Sequence, residues 1–257
     1  MKPRIAIPVP TSLNLAYNQR SWPAYAEAVS RSGGEPVQFD LTLPPTQIKQ
    51  LAATCHGVVL PGSPADVDPA RYTAEPDPAT SPADPARETM DNLLLEDAAA
   101  HTKPVLGICF GIQSLNVWRG GSLVQDLSPL PVNHSAGPKV AIAHTAMVSE
   151  SSLLGSLLEP TEAPLVDDYL RLPINTSHHQ SVAIPGEGLR IVARCPDDGV
   201  VEAVENDPAL TSQFLIGVQW HPERSYDISA ASRALFHRFV AEASAWTPRP
   251  IRTSVSK

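Results

Sequence analysis

Cysteine is scarce in this chain. Three residues, widely spaced and odd in number, build no disulfide framework. Basic residues are outnumbered, 19 Lys and Arg against 27 Asp and Glu, so the formal charge is −8. That balance excludes the basic footprint of a nucleic-acid binder. No apolar run approaches the roughly 18 residues of a membrane span, so no membrane partner is expected. The N-terminal Met1-Lys2-Pro3-Arg4-Ile5 enters a short strand with no secretory h-region. A cytoplasmic location is the expectation. HxH, HExxH and paired-cysteine spacings are also missing, so neither a metal nor a cofactor is expected.

Proline, by contrast, is abundant. Its 27 residues cluster over 61–85 and again over 129–138, where they predict ordered loops above the carboxyl edge of a sheet. A chain of 257 residues suffices for one large α/β domain. The expected domain spans 1–246, with 247–257 a polar, flexible tail. Apolar patterning predicts strands over 4–9, 35–39, 57–60, 105–109, 139–147, 188–193, 200–205 and 214–220. Helices are predicted over 22–32, 46–53, 88–100, 112–119, 153–158 and 230–243. The first half alternates strand and helix, as a parallel sheet requires. The second half is richer in strand and has turns at Pro185-Gly186 and Asp198-Gly199. The expected architecture is therefore a three-layer α/β sandwich whose mostly parallel sheet has an antiparallel extension.

One stretch carries chemistry: Val105-Leu106-Gly107-Ile108-Cys109-Phe110-Gly111-Ile112-Gln113. It reads as a buried strand, a sharp turn bearing a thiol, and a helix. A side chain on such a turn sits at the positive end of the helix, where a thiolate is favoured. Taken alone, Cys109 is equally a small buried apolar residue. Its base is found far along the chain, in Ile216-Gly217-Val218-Gln219-Trp220-His221-Pro222-Glu223. His221 can take the thiol proton and return it to a leaving amine, and Glu223 can hold the imidazole tautomer. Cys55 and Cys195 lack such settings and are read as structural.

In this order along the chain, these segments resemble the class I glutamine amidotransferase-like superfamily, which is flavodoxin-like in fold. The resemblance also covers Arg4-Ile5-Ala6-Ile7-Pro8, Gly57-Val58-Val59-Leu60-Pro61-Gly62-Ser63-Pro64-Ala65-Asp66-Val67-Asp68-Pro69 and Gly120-Gly121-Ser122-Leu123-Val124-Gln125-Asp126-Leu127. It continues through Asn175-Thr176-Ser177-His178-His179-Gln180-Ser181-Val182 and Asp197-Asp198-Gly199-Val200-Val201-Glu202-Ala203. The Asp-Val-Asp-Pro, Gly-Gly-Ser-Leu-Val-Gln-Asp and Ser-His-His-Gln elements look most like the stand-alone γ-glutamyl hydrolases of peptidase family C26. That branch includes enzymes of putrescine breakdown that act on γ-glutamyl-γ-aminobutyrate.

The resemblance implies a Cys109–His221–Glu223 triad, a γ-glutamyl thioester on Cys109, and release of glutamate plus an amine. It implies oxyanion donors at Gly62 and Phe110. It also implies that Gln113 and the Ser177, His178, His179 and Gln180 loop hold the glutamyl end, largely through backbone. Two positions depart from the pattern: Ser63 stands where a second glycine is expected, and Phe110 where the hydrolase branch often has arginine. Glu88 and Asp91 echo an acidic branch pattern but read equally as charges that suit a helix start. The leaving-group pocket is expected from 66–84 and 133–138. A glutaminase subunit that passes ammonia to a separate synthase remains the alternative, and a non-catalytic binding protein a third reading. A homodimer is expected on base rate alone.

Overall fold

Strand and helix alternate through the first half. β1 (Arg4–Pro8), β2 (Glu35–Phe39), β3 (Gly57–Leu60) and β4 (Val105–Ile108) are separated by α1 (Leu15–Arg31), α2 (Pro45–Ala52) and α3 (Pro85–His101). The computed structural model describes residues 2–247, so the expected tail lies outside the described residues from 248 onward. After β4 the chain turns at Cys109 into α4 (Phe110–Trp118). There follow β5 (Ser122–Val124), β6 (His144–Ser149), β7 (Leu165–Val166), β8 (Tyr169–Ile174) and β9 (Ser181–Ile184). β10 (Leu189–Arg194), β11 (Val201–Asn206), β12 (Leu215–Val218) and α5 (Ala230–Ala245) complete the order.

Ten strands form one sheet in the order β2-β1-β3-β4-β12-β11-β10-β6-β8-β7. Pairing is parallel from β2 across to β12 and antiparallel from β12 outward. β5 and β9 form a separate ribbon. This is the mixed sheet that the sequence implies. β3, β4 and β12 are buried throughout, which is why they read as continuous apolar runs. One core cluster includes residues of α1 and α5, and the other residues of α2, α3 and α4. Register aligns Leu60 with Gly107 and Val218 with Ile108. The carboxyl ends of three neighbouring strands thus meet at one edge.

Several elements differ from expectation. α1 starts at Leu15 rather than 22, because Asn14 caps it by accepting the Tyr17 N–H, and Pro23 lies inside the helix rather than at its start. The helix expected over 153–158 is only a 3₁₀ turn, Gly155–Leu157. The strand expected from 139 begins at His144. Neither β5 nor β9 is among the expected strands, nor are β7 and β8. The β7–β8 hairpin turns on Asp167 and Asp168, both at positive φ (49° and 65°), the pairing a two-residue type I′ turn requires.

α4 packs tightly against β3. A Cβ placed on Gly111 would sit 2.1 Å from the Leu60 carbonyl oxygen. Backbone on backbone leaves nowhere to yield. Gly111→Ala is therefore expected to cost at least the ~1–3 kcal/mol of ordinary overpacking. Urea unfolding checks this, and an unchanged midpoint would mean that α4 can withdraw.

Candidate active site

Cys109 sits at φ 53°, ψ −107°, a conformation that costs an L-residue about 1–3 kcal/mol and persists only when its surroundings enforce it. They do so from both sides. The Cys109 N–H donates to Val218 O at 2.9 Å, and the Ile112 N–H donates to Cys109 O at 3.2 Å. A Cβ on Gly107 would lie 2.8 Å from Gly111 O, so glycine there lets the first turn of α4 fold over the end of β4. The thiol is 6% exposed and lies 3.9 Å from the Ser177 carbonyl oxygen, to which it can donate.

The segment after β12 supplies the base. His221 and Glu223 are buried, and Nδ1–H of His221 donates to Glu223 Oε1 at 2.8 Å. Asn175 clamps the histidine backbone: its Nδ2 donates to His221 O at 2.8 Å and its Oδ1 accepts the His221 N–H at 2.9 Å. Sequence reasoning gave Asn175 no role, since it signals only as the first residue of the Ser-His-His-Gln segment.

Burial opposes an imidazolium here, but the Glu223 carboxylate and the Cys109 thiol outweigh it, and His221 is raised to about 9. Burial likewise pushes Glu223 up, yet the imidazolium holds it below the usual range. The sign follows. His221 is raised above its unfolded value, so its contribution to stability is complete below about 6.5. That contribution is lost as pH rises through about 9. In Glu223→Gln the attraction disappears while burial stays. The alkaline limb of the kcat/KM profile is then expected to move from about 9 to lower pH. An unmoved limb would exclude Glu223 as the cause.

Beyond β3, the 61–65 loop lies against both groups. A Cβ on Gly62 would fall 3.0 Å from His221 Cε1 and 3.5 Å from Cys109 Cβ. The Gly62 N–H, the expected donor, already has a partner. Buried Tyr25 of α1 reaches under the loop, and its hydroxyl accepts the Gly62 N–H at 3.1 Å. Among the described residues, the neighbouring Ser63 N–H has no acceptor. The Ser63 hydroxyl folds back to accept the Ala65 N–H at 3.1 Å, so its Cβ is accommodated. Phe110 opens α4, where the first N–H groups find no acceptor within the helix.

One residue fixes both sides of this pair. Arg87 is fully buried; its Nη2 donates to Pro61 O at 2.6 Å, its Nη1 to Pro10 O at 2.7 Å and its Nε to Asp91 at 2.8 Å. The guanidinium carbon also lies 4.8 Å from the centre of the Phe110 ring. Glu88 accepts the Asp68 N–H at 2.8 Å. Glu88 and Asp91 are thus buried partners in a network, not free charges at a helix start. Helical spacing alone could suggest an Arg87–Asp91 pair, but not its reach to Pro61.

A cleft of about 170 Å³ opens on Cys109, lined by Ser63–Asp66, Ser81, Phe110, Gln113, Ser135 and the Ser177, His178, His179 and Gln180 loop. Gln113 is largely committed: its Nε2 donates to Gln180 O at 3.0 Å and to Gln219 Oε1 at 3.3 Å. His179 Nε2–H donates to Asp66 at 3.0 Å. The His178 ring is only 1% exposed and turns inward toward Glu202, so what it offers the cleft is backbone. Gln180 extends its Nε2 to Gln125 O instead. Cys55 and Cys195 are buried elsewhere. No helix among the described residues is long and apolar enough to cross a membrane.

Comparison with known proteins shows the family. The peptidase C26 sequence model matches residues 11–223. The chain is 34% identical over 228 residues to the γ-glutamyl-γ-aminobutyrate hydrolase PuuD of Escherichia coli K12, covering 84% of this chain and 83% of that one. It is 34% identical over 196 residues to a Lactococcus lactis protein described as glutamine amidotransferase-like, covering 75% and 76%. A Thermoplasma acidophilum protein described as a subunit of GMP synthase superposes with a TM-score of 0.61 at 13% identity, over 96% of both chains. That last likeness concerns the fold alone, the glutamine amidotransferase-like sandwich.

Proposed function

This chain belongs to the peptidase C26 family, and from that premise we propose that it is a cysteine-dependent hydrolase of γ-glutamyl amide bonds. The observation that carries the reading is Cys109 on a strained turn beside a His221–Glu223 pair, in a cleft that also exposes backbone donors. With its proton already on His221 Nε2, Cys109 Sγ attacks the γ-carbonyl carbon. The N–H groups of Phe110 and Ser63 receive the oxyanion that forms. On collapse, His221 returns the proton to the departing nitrogen, leaving a γ-glutamyl thioester and a free amine. Water then gives a proton to His221 and attacks the same carbonyl. Glutamate leaves, and the sulfur anion of Cys109 again faces a protonated His221.

Glu223 keeps Nδ1 protonated throughout, so Nε2 is the nitrogen that shuttles. Arg87, Tyr25 and Asn175 position the loop and the base without touching substrate. Asp66, His179 and the Ser177 backbone face the space for the α-amino and α-carboxylate groups. The amine extends toward 66–84 and 133–138, of which Asp66, Ser81 and Ser135 reach the cleft.

The test is glutamate release by the purified chain alone from glutamine, γ-glutamyl-γ-aminobutyrate and γ-glutamyl dipeptides. Turnover of a γ-glutamyl amine in preference to glutamine is expected. Release of glutamate from glutamine only when a second protein is present would instead identify the glutaminase half of an amidotransferase and overturn this reading.

A further inference from the structure

A second cluster of chemically active side chains lies behind the cleft. His134 belongs to the loop after β5, His144 opens β6, His178 belongs to the loop between β8 and β9, and Glu202 lies in β11. All four side chains are at most 4% exposed. Three ring nitrogens face one oxygen: His134 Nδ1, His144 Nε2 and His178 Nε2 lie 3.4, 3.6 and 3.9 Å from Glu202 Oε1. Among the described residues none of these nitrogens, and neither oxygen of Glu202, has a hydrogen-bond partner.

The far nitrogens fix what the near ones must be. His134 Nε2 bonds to Asp198 Oδ2 at 2.9 Å, His178 Nδ1 to Gln180 O at 2.9 Å and His144 Nδ1 to Thr145 O at 3.3 Å. Each of those partners can only accept, so each far nitrogen carries the proton. A neutral ring then presents a lone pair on its near side. Three lone pairs and a carboxylate converge on one buried point, and this arrangement repels itself unless a proton or a metal cation lies among them. A tetrahedron with metal–ligand bonds of about 2.0–2.1 Å has edges of about 3.3–3.4 Å, close to the His134 and His144 distances to Glu202, and these three donors lie within 4.8 Å of one another. The His134–Asp198 bond is the outer carboxylate contact that metal-binding histidines usually make.

We propose that His134, His144 and Glu202 hold one divalent metal ion of the zinc type, with His178 Nε2, 3.9 Å from Glu202, drawing in as the fourth ligand. Four protein ligands close a tetrahedral site, so its role is structural. It ties the loop bearing Ser177 and His179 to β6 and β11, in the antiparallel half of the sheet. That loop places the Ser177 carbonyl beside the Cys109 thiol. The absence of HxH and paired-cysteine spacing, from which no metal was expected, does not bear on such a site, because its ligands come from four separate elements.

The test is the metal content of the full chain, purified from zinc-supplemented cells and dialysed, by inductively coupled plasma mass spectrometry. About one zinc per chain is expected, with nearly all of it lost in Glu202→Gln. X-ray absorption of the wild-type protein guards against a variant that fails to fold. A shell of nitrogen and oxygen at about 2.0–2.1 Å supports the site, whereas sulfur at about 2.3 Å would place the metal on a cysteine and overturn it. A wild-type chain that is metal-free, and whose Tm does not move when zinc chloride is added, overturns it too.

Discussion

Cys109→Ala is expected to abolish glutamate release from every γ-glutamyl amide, a fall in kcat/KM of at least about 10⁴-fold. The loss is chemical rather than structural. Alanine keeps the Cβ and so inherits the strain at φ 53°, and the Tm is expected to stay close to wild type. Cys109→Gly separates the two effects. It is equally inactive but relieves up to about 1–3 kcal/mol of backbone strain, so it melts higher. Steady-state assay and thermal unfolding of both variants check this. Residual turnover by either one would remove Cys109 from the mechanism. A lower Tm for Cys109→Gly would mean that the turn is not held against its own preference.

Arg87→Met is expected to be the most damaging substitution outside the triad. The methionine fills much of the space, but Asp91 then stands as a buried charge without its partner, and the Pro10 and Pro61 carbonyl oxygens lose their donors. Breaking a buried ion pair from one side costs about 3–5 kcal/mol, a large part of the stability of an ordinary domain. Denaturant unfolding reads that loss. Activity is expected to fall further than the folded fraction does, because the 61–65 loop is freed from Arg87 while Phe110 loses the cation over its ring. Double substitution at Arg87 and Asp91 by apolar residues should recover stability but not turnover. If turnover returned as well, Arg87 would be a structural residue only.

The centre of the parallel half was legible because β3, β4 and β12 are buried on both faces and announce themselves as apolar runs. β7 and β8 were harder to read. Pro173 interrupts the alternation of Leu170, Leu172 and Ile174, and Asp-Asp is a weaker hairpin signal than Asn-Gly. Cys109 and His221 could be paired in advance because both end apolar strands with turn chemistry. What local pattern could not give was the use of polar atoms across the fold. Tyr25 takes the Gly62 N–H and Asn175 grips His221 from another loop. His178, whose neighbours face the cleft, turns its ring to Glu202. Such partners are fixed by tertiary distance and leave no periodicity.

The position of β12 between β4 and β11 has a temporal meaning. It is the last of the described strands to emerge in synthesis, yet it fills the seam between the parallel and antiparallel halves and pairs with β4 more than a hundred residues earlier. Such distant pairings form slowly, since a long loop must close before any contact rewards it. A nascent chain therefore carries its thiol with no base beside it until that final insertion. The reactive centre and the completed sheet come into being in the same step.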